Sequence, residues 1–131
     1  MIKSIKERRK IMRRFRKITV DNSEYKWLFR FDDYDYQNLP YLLVIMCSCP
    51  ASSLKIFFPI HEHFLLNSGL PAVLNGNAVL LNMNRPLFVS QIIEQCQKNG
   101  ETFDHEGCRH LNGLKILEEI GYKIPDILRK D

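Results

Sequence analysis

The chain has 131 residues, of which 45% are hydrophobic and 11% aromatic, and its formal net charge is +4. This composition is typical of one folded domain and excludes a collagen, a coiled coil or a wholly disordered chain. The longest apolar run, residues 39–47, contains a proline and has about half the length of a membrane-spanning helix. We therefore expect no membrane span, and without an export signal we expect a cytoplasmic protein.

Positive charge is concentrated in residues 1–17, which we call the basic arm. This segment holds nine of the nineteen Lys and Arg residues and one of the fifteen acids, so the remaining chain is mildly acidic. Residues 2–16 place a narrow apolar stripe on a cationic surface, which predicts an amphipathic helix that must dock or bind to persist. Met12 is an alternative start that would remove much of the arm. We divide the chain into this arm and a single α+β domain, residues 18–131.

A β-hairpin follows the arm. Asp21-Asn22-Ser23 has turn-forming chemistry and separates residues 17–20 from residues 24–31. In the second strand the aromatic residues alternate with mainly polar ones, as in a half-buried strand, and we expect their face to nucleate the core. These aromatic residues are Tyr25, Trp27, Phe29 and Phe31.

Three more strands are predicted beyond an acidic loop that contains Asp32, Asp33 and Asp35. They cover residues 39–47, apolar on both faces and therefore central, residues 54–60, and residues 78–83. A turn containing Pro50 is expected at residues 48–53. Residues 61–77 are expected to be irregular, apart from one helical turn near residues 64–67, because Gly69, Pro71 and Gly76 interrupt them.

Two helices complete the pattern. Asn84 is the predicted cap of the first, Pro86 suits its first turn, and Asn99-Gly100 ends it. The second is predicted over residues 109–120, where leucine or isoleucine recurs every third residue before Gly121. Segregated strands and helices predict an α+β fold: a mostly antiparallel sheet of about five strands, an N-terminal basic helix and two C-terminal helices.

Four histidines are candidate metal ligands. His61 and His63 would share one side of an extended segment, and His105 and His110 flank Cys108. Zn²⁺ prefers four nitrogen or sulfur ligands, but no C-x-x-C or H-x-x-x-H pair is present. Exposed loop histidines are the simpler interpretation, so we expect neither a metal nor another cofactor.

Motifs for catalysis are missing from the sequence. It has no G-x-S-x-G nucleophile elbow and no glycine-rich phosphate loop, and the acidic loop lacks the EF-hand register. The four cysteines are expected to be reduced packing residues. This favours a protein that is not an enzyme.

The arm is the main candidate for binding. Its cations would neutralise phosphates of a nucleic acid or contact an acidic protein surface; alternatively they are a solvated face. Its apolar stripe is a poor match to a lipid surface because it lacks Trp. The candidate residues are Arg8, Arg9, Lys10, Arg13, Arg14, Arg16 and Lys17.

Two stretches resemble a family of small uncharacterised bacterial proteins. Residues 18–27 match the start of its ITVDG…YxWRV hairpin, and residues 85–93 match its P..V...I helix, within a region of about residues 18–104. The chain departs from the family at Asn22-Ser23, where the family has glycine, and at Leu28, where it has arginine. It also lacks the glycine-tryptophan pair that the family has where residues 99–101 stand here. The resemblance implies a small α+β domain and no known activity.

We therefore predict a non-enzymatic binding module, such as an accessory or immunity-like protein that presents its aromatic hairpin and acidic loop to a partner. The alternative is a nucleic-acid-binding protein that uses the basic arm. A weaker alternative is a metal-dependent enzyme that uses the four histidines. The sequence does not indicate an oligomeric state.

Overall fold

This computed structural model describes residues 15–31 and 38–130, which contain eight strands and three α-helices. In chain order they are β1 (Arg16–Val20), β2 (Ser23–Arg30), β3 (Tyr41–Met46), β4 (Cys49–Phe57), α1 (Leu65–Ser68), β5 (Leu70–Leu74), β6 (Asn77–Leu81), α2 (Pro86–Lys98), β7 (Gly107–Asn112), α3 (Gly113–Ile120) and β8 (Tyr122–Lys123). A short 3₁₀ helix, Asp126–Leu128, follows.

The larger sheet has five strands in the order β1-β2-β3-β4-β7. Its first three pairings are antiparallel, and β7 joins β4 in parallel. The predicted α+β class with a mostly antiparallel five-stranded sheet is confirmed, and β3 is central as expected. Most of the predicted basic helix lies outside the described residues, and the last two residues of the arm, Arg16 and Lys17, belong to β1.

The first hairpin is closed by Asp21 and Asn22, with φ angles of 49° and 66°. Val20 pairs with Ser23, so the loop has two residues, both in the left-handed region. This is the type I′ geometry that matches the twist of paired strands, and Asp and Asn tolerate it better than most residues. The predicted hairpin is confirmed.

The turn predicted at residues 48–53 is wrong beyond its first residue, because β4 already begins at Cys49. Met46 pairs with Cys49, and a register shift next to Ile45 accommodates the tight reversal. Pro50 is exposed at the beginning of the strand, where a missing N–H is tolerated.

A second sheet has the order β6-β5-β8. Its strand β6 corresponds to the strand predicted at residues 78–83, which therefore does not belong to the larger sheet, and β5 lies within residues 61–77, which were expected to be irregular. Asn75 and Gly76, with φ angles of 52° and 81°, form another two-residue turn between β5 and β6. Pro71 lies within β5, but β8 pairs only with Val73 and Leu74, so the missing amide breaks no bond to β8. The predicted helical turn is confirmed as α1.

The predicted start of the second C-terminal helix is wrong. Residues 109–112 belong to β7, and Leu111 pairs with Ile56 of β4. The three-residue leucine spacing therefore runs across a junction between a strand and a helix. Asn112 caps α3, because its Oδ1 accepts hydrogen bonds from the backbone N–H groups of Leu114 (3.0 Å) and Lys115 (3.3 Å).

The first of the two predicted C-terminal helices, α2, begins at Pro86 as expected, but Asn84 is not its cap. Arg85 occupies the cap position and makes no capping side-chain bond, whereas the Asn84 side chain donates to Asn67 Oδ1. Gly100, with a φ of 86°, follows the helix end in the left-handed conformation that glycine adopts freely.

The core lies on one face of the larger sheet, which we call the covered face. Tyr25 and Trp27 are each 1% exposed, and the Tyr25 hydroxyl accepts a hydrogen bond of 2.8 Å from Gln97 on α2. The same core cluster includes residues of the smaller sheet and of α3. The hairpin rings therefore form the core as expected, and the idea that they are presented to a partner is wrong.

Candidate binding surface

The opposite face of the larger sheet, which we call the open face, is formed by the alternate residues of its five strands. Cross-strand register places them in rows, for example Leu28, Leu43, Lys55 and His110. Leu28 is buried, at 9% exposure, whereas its apolar neighbours on β3 and β4 are half-buried. The principal side chains of the open face are Lys17, Lys26, Leu28, Arg30, Tyr41, Leu43, Ile45, Lys55, Phe57, Cys108 and His110.

Three rings cross the open face on three different strands. The centroids of Tyr41 and Phe57 are 6.0 Å apart, and those of Phe57 and His110 are 5.2 Å apart. Tyr41 and Phe57 are direct cross-strand partners, and His110 lies diagonally beyond them on β7. We call these residues the ring row. Their arrangement depends on backbone pairing and not on a flexible loop.

Lys55 lies over the ring row. Its Nζ is 4.3 Å from the Tyr41 centroid and 5.4 Å from the Phe57 centroid, which are cation–π distances. Such contacts at exposed sites contribute roughly 0.5–1 kcal/mol, so a stronger ligand can displace the ammonium group from the rings.

Positive charge dominates the open face. Lys17, Lys26, Arg30 and Lys55 lie there with a single described acid, Glu24. The pair between Lys17 and Glu24 is 3.6 Å long and its side chains are 65% and 52% exposed, so it contributes little to stability. Ion pairs of the other three cations do not occur within residues 15–31 and 38–130.

Arg16, a candidate binding residue of the arm, is engaged within the fold. Its guanidinium lies 4.7 Å from the Trp27 ring centroid and donates a hydrogen bond of 2.7 Å to the Asn84 carbonyl. Lys17 projects from β1 onto the open face. The other arm candidates and the acidic loop lie outside the described residues; these candidates are Arg8, Arg9, Lys10, Arg13 and Arg14.

The four histidines lie in different environments. His63 is buried near α1, His61 is exposed after β4, His105 contacts Asp104, and His110 belongs to the ring row. In the part of the chain that the structure describes, three or more metal-ligating side chains do not come together. Sequence spacing suggested ligand pairs, but the fold does not assemble them into a set.

A groove of about 510 Å³ lies beside the free edge of β7. Several of its polar side chains already have partners: Glu101 pairs with Arg109, outside the groove, at 2.7 Å, and Asn99 donates to Glu119 at 3.3 Å. Asn112 is used as the cap of α3. These partners give the polar groups a structural role, and the groove is therefore a weaker candidate than the open face.

The cysteines are free thiols with contrasting environments. Burial, reinforced by the nearby carboxylates of Glu101 and Glu119, raises the pKa of Cys96 to about 12. Burial and a hydrogen bond with Glu24 raise the pKa of Cys47. Cys108 is exposed on the open face. The raised pKa values of Cys96 and Cys47 disfavour a thiolate nucleophile at these two positions, because such a nucleophile needs a lowered pKa.

Comparison of the chain with protein-family models, curated proteins and solved structures finds no match. The resemblance of the hairpin and α2 to an uncharacterised bacterial family therefore stays a prediction. None of the helices in residues 15–31 and 38–130 has the length and apolar character needed to cross a bilayer.

Proposed function

We propose that this protein is a binding module that contacts a negatively charged macromolecule through the open face of its larger sheet. One observation carries the proposal: three rings and four cations share a surface on which only one described acid lies. The solvent-facing side of an antiparallel sheet usually carries polar residues, whereas this face holds Leu43, Ile45 and Phe57 among its cations.

Two physical effects favour a partner at this surface. Half-buried apolar side chains gain about 25 cal/mol for each Å² that a partner removes from water. Cations without acidic partners attract a negatively charged surface and accelerate its association at low ionic strength. Lys17, the last residue of the basic arm, lies on this face and adds to the same attraction.

The sequence also predicts a binding module, but one that presents its aromatic hairpin to the partner. The hairpin rings are in the core, so the open face takes their place. A metal-dependent enzyme is not proposed because the histidines lie in separate environments.

The proposal is tested with a fluorescence-anisotropy titration against labelled oligonucleotides and labelled polyglutamate at about 0.05 and 0.2 M salt. Wild type should bind at least one of these polyanions, more tightly at the lower salt concentration. The variant Lys26→Gln/Lys55→Gln should bind about five- to tenfold more weakly, since it loses two weak ionic contacts.

The matched control is Lys98→Gln/Lys123→Gln, which removes the same charge from exposed positions on α2 and β8. It should bind like wild type at 0.2 M salt, because charges more than about a Debye length from the partner are screened. Equal weakening by both double variants would refute the open face as the binding surface, and so would a wild-type protein that binds no polyanion.

A further inference from the structure

We propose that the open face binds single-stranded nucleic acid, with bases stacked on the ring row and phosphates held by the surrounding cations. This inference rests on the proposed function and names its partner class. The observation behind it is the placement of Tyr41, Phe57 and His110 next to Lys55 and Arg30.

The ring row supplies a stacking platform. Its three rings come from adjacent strands, with successive centroid distances of 6.0 and 5.2 Å and interplanar angles of 54° and 69°, so each ring offers a separate, differently oriented surface to an unpaired base. Aromatic side chains on a sheet stack unpaired bases in this way, and the contact tolerates any sequence because every base has a π-face.

The cations lie where a sugar-phosphate backbone would pass. Arg30 is the direct cross-strand neighbour of Tyr41, and Lys26 projects from the same face of β2 four residues earlier, about 13 Å away. Lys55 covers the two rings in the free protein. When a base takes the ring face, the Lys55 ammonium is released to contact a phosphate, so it contributes to the free and to the bound state.

The rings distinguish a single strand from the other polyanions. In a duplex the base faces are already stacked inside the helix, so the ring row could reach only its backbone. An acidic protein would use Lys26, Arg30 and Lys55 but would gain no base stacking on Phe57. Charge alone therefore explains a polyanion, whereas the ring row favours unpaired bases.

The test compares Phe57→Leu, which keeps an apolar side chain without the ring, with Phe57→Tyr, which keeps the ring. Phe88→Leu is the control, because Phe88 is a half-buried ring that contacts Tyr122, away from the open face. Binding is measured by anisotropy with a single-stranded oligonucleotide that contains 2-aminopurine, with the corresponding duplex, and with polyglutamate. Thermal melting checks that each variant is folded.

We expect wild type to prefer the single strand and to quench 2-aminopurine fluorescence, as stacking does. Phe57→Leu should weaken single-strand binding about tenfold and reduce the quenching, which corresponds to the loss of one base–aromatic stack. Phe57→Tyr and Phe88→Leu should stay within about twofold of wild type. If Phe57→Leu is unfolded, Tyr41→Leu and Tyr41→Phe replace the pair.

Two results would overturn the inference. Single-strand binding that is unchanged by loss of the ring would show that bases do not stack there. Polyglutamate or duplex bound as tightly as the single strand, with the same dependence on Lys26 and Lys55, would assign the surface to an acidic protein or to a phosphate backbone. In both cases the proposed function survives, because it fails only if wild type binds none of the polyanions or if the control double variant weakens binding as much as Lys26→Gln/Lys55→Gln does.

Discussion

Replacing Gly113 with alanine should destabilise the protein, although alanine is the better helix former. Gly113 is the first residue of α3, directly after β7. A Cβ atom built there would lie 2.4, 2.6 and 2.8 Å from three carbons of the Phe58 ring. Carbon atoms normally approach to about 3.5–4.0 Å, so the ring or the helix would have to move by about 1 Å.

The surroundings leave little room for that movement. Phe58 is completely buried, and its ring packs edge-on against Phe29 with centroids 6.2 Å apart. Overpacking in such a core costs about 1–3 kcal/mol, whereas replacing a helical glycine by alanine gains at most about 1 kcal/mol. The free energy of unfolding should therefore fall by about 1–2 kcal/mol, which corresponds to a melting temperature lower by roughly 3–8 °C.

Urea denaturation and thermal melting measure this loss, and a double-mutant cycle with Phe58→Leu tests its cause. The leucine variant is itself destabilised, but it removes the ring carbons that the new methyl group meets. In that background Gly113→Ala should be neutral or stabilising. A Gly113→Ala protein as stable as wild type, or an equal loss in both backgrounds, would refute the steric argument.

Three other outcomes are expected. Asn112→Ala should lower the free energy of unfolding by about 1 kcal/mol, while aspartate at this position keeps the cap; a urea titration compares the two. At pH 8 a thiol reagent should modify exposed Cys108 rapidly and leave Cys96 unmodified until the protein unfolds, because burial raises the pKa of Cys96 to about 12. In the variant Cys108→Ser, fast labelling of Cys96 would contradict this expectation. Glu101→Gln should cost about 0.5–1 kcal/mol by weakening its partly buried pair with Arg109, measured by melting at low salt; no change at all would assign the pair no role in stability.

Local chemistry made part of the fold predictable. The Asp21-Asn22 turn and the alternating rings of β2 identified the first hairpin, because both signals lie within a few residues. The same reasoning should have identified β5: Asn75-Gly76 between apolar segments is a strong hairpin signal. Pro71 argued against a strand there, because a proline has no N–H group and fits a strand only where no hydrogen bond is needed from that position.

The wrong start predicted for the second C-terminal helix, α3, has a different cause. β7 is a strand because β4 pairs with it, and the two segments are about fifty residues apart in sequence. No pattern within residues 107–112 reveals that pairing, whereas Leu111 happens to continue the spacing of α3. Tertiary contact overrides the local signal here.

The candidate site was predictable only in kind. The charge asymmetry pointed to cations of the basic arm, and of the candidates that the structure describes only Lys17 lies on the open face. The apolar character of both faces of residues 39–47 indicated that β3 was not simply half-exposed. The ring row, however, combines Tyr41, Phe57 and His110 from three strands. Their proximity follows from strand register, which the sequence alone does not determine.

The parallel pairing of β7 with β4 also affects how the molecule reaches its native state. β1 to β4 are consecutive and form mostly local contacts, whereas β7 can be added only after the intervening segment has folded or looped out. Until then β4 has an unprotected hydrogen-bonding edge, on which another chain could add a strand. Refolding yield should therefore fall with protein concentration, and a ribosome-bound fragment that ends before residue 107 should be prone to aggregate.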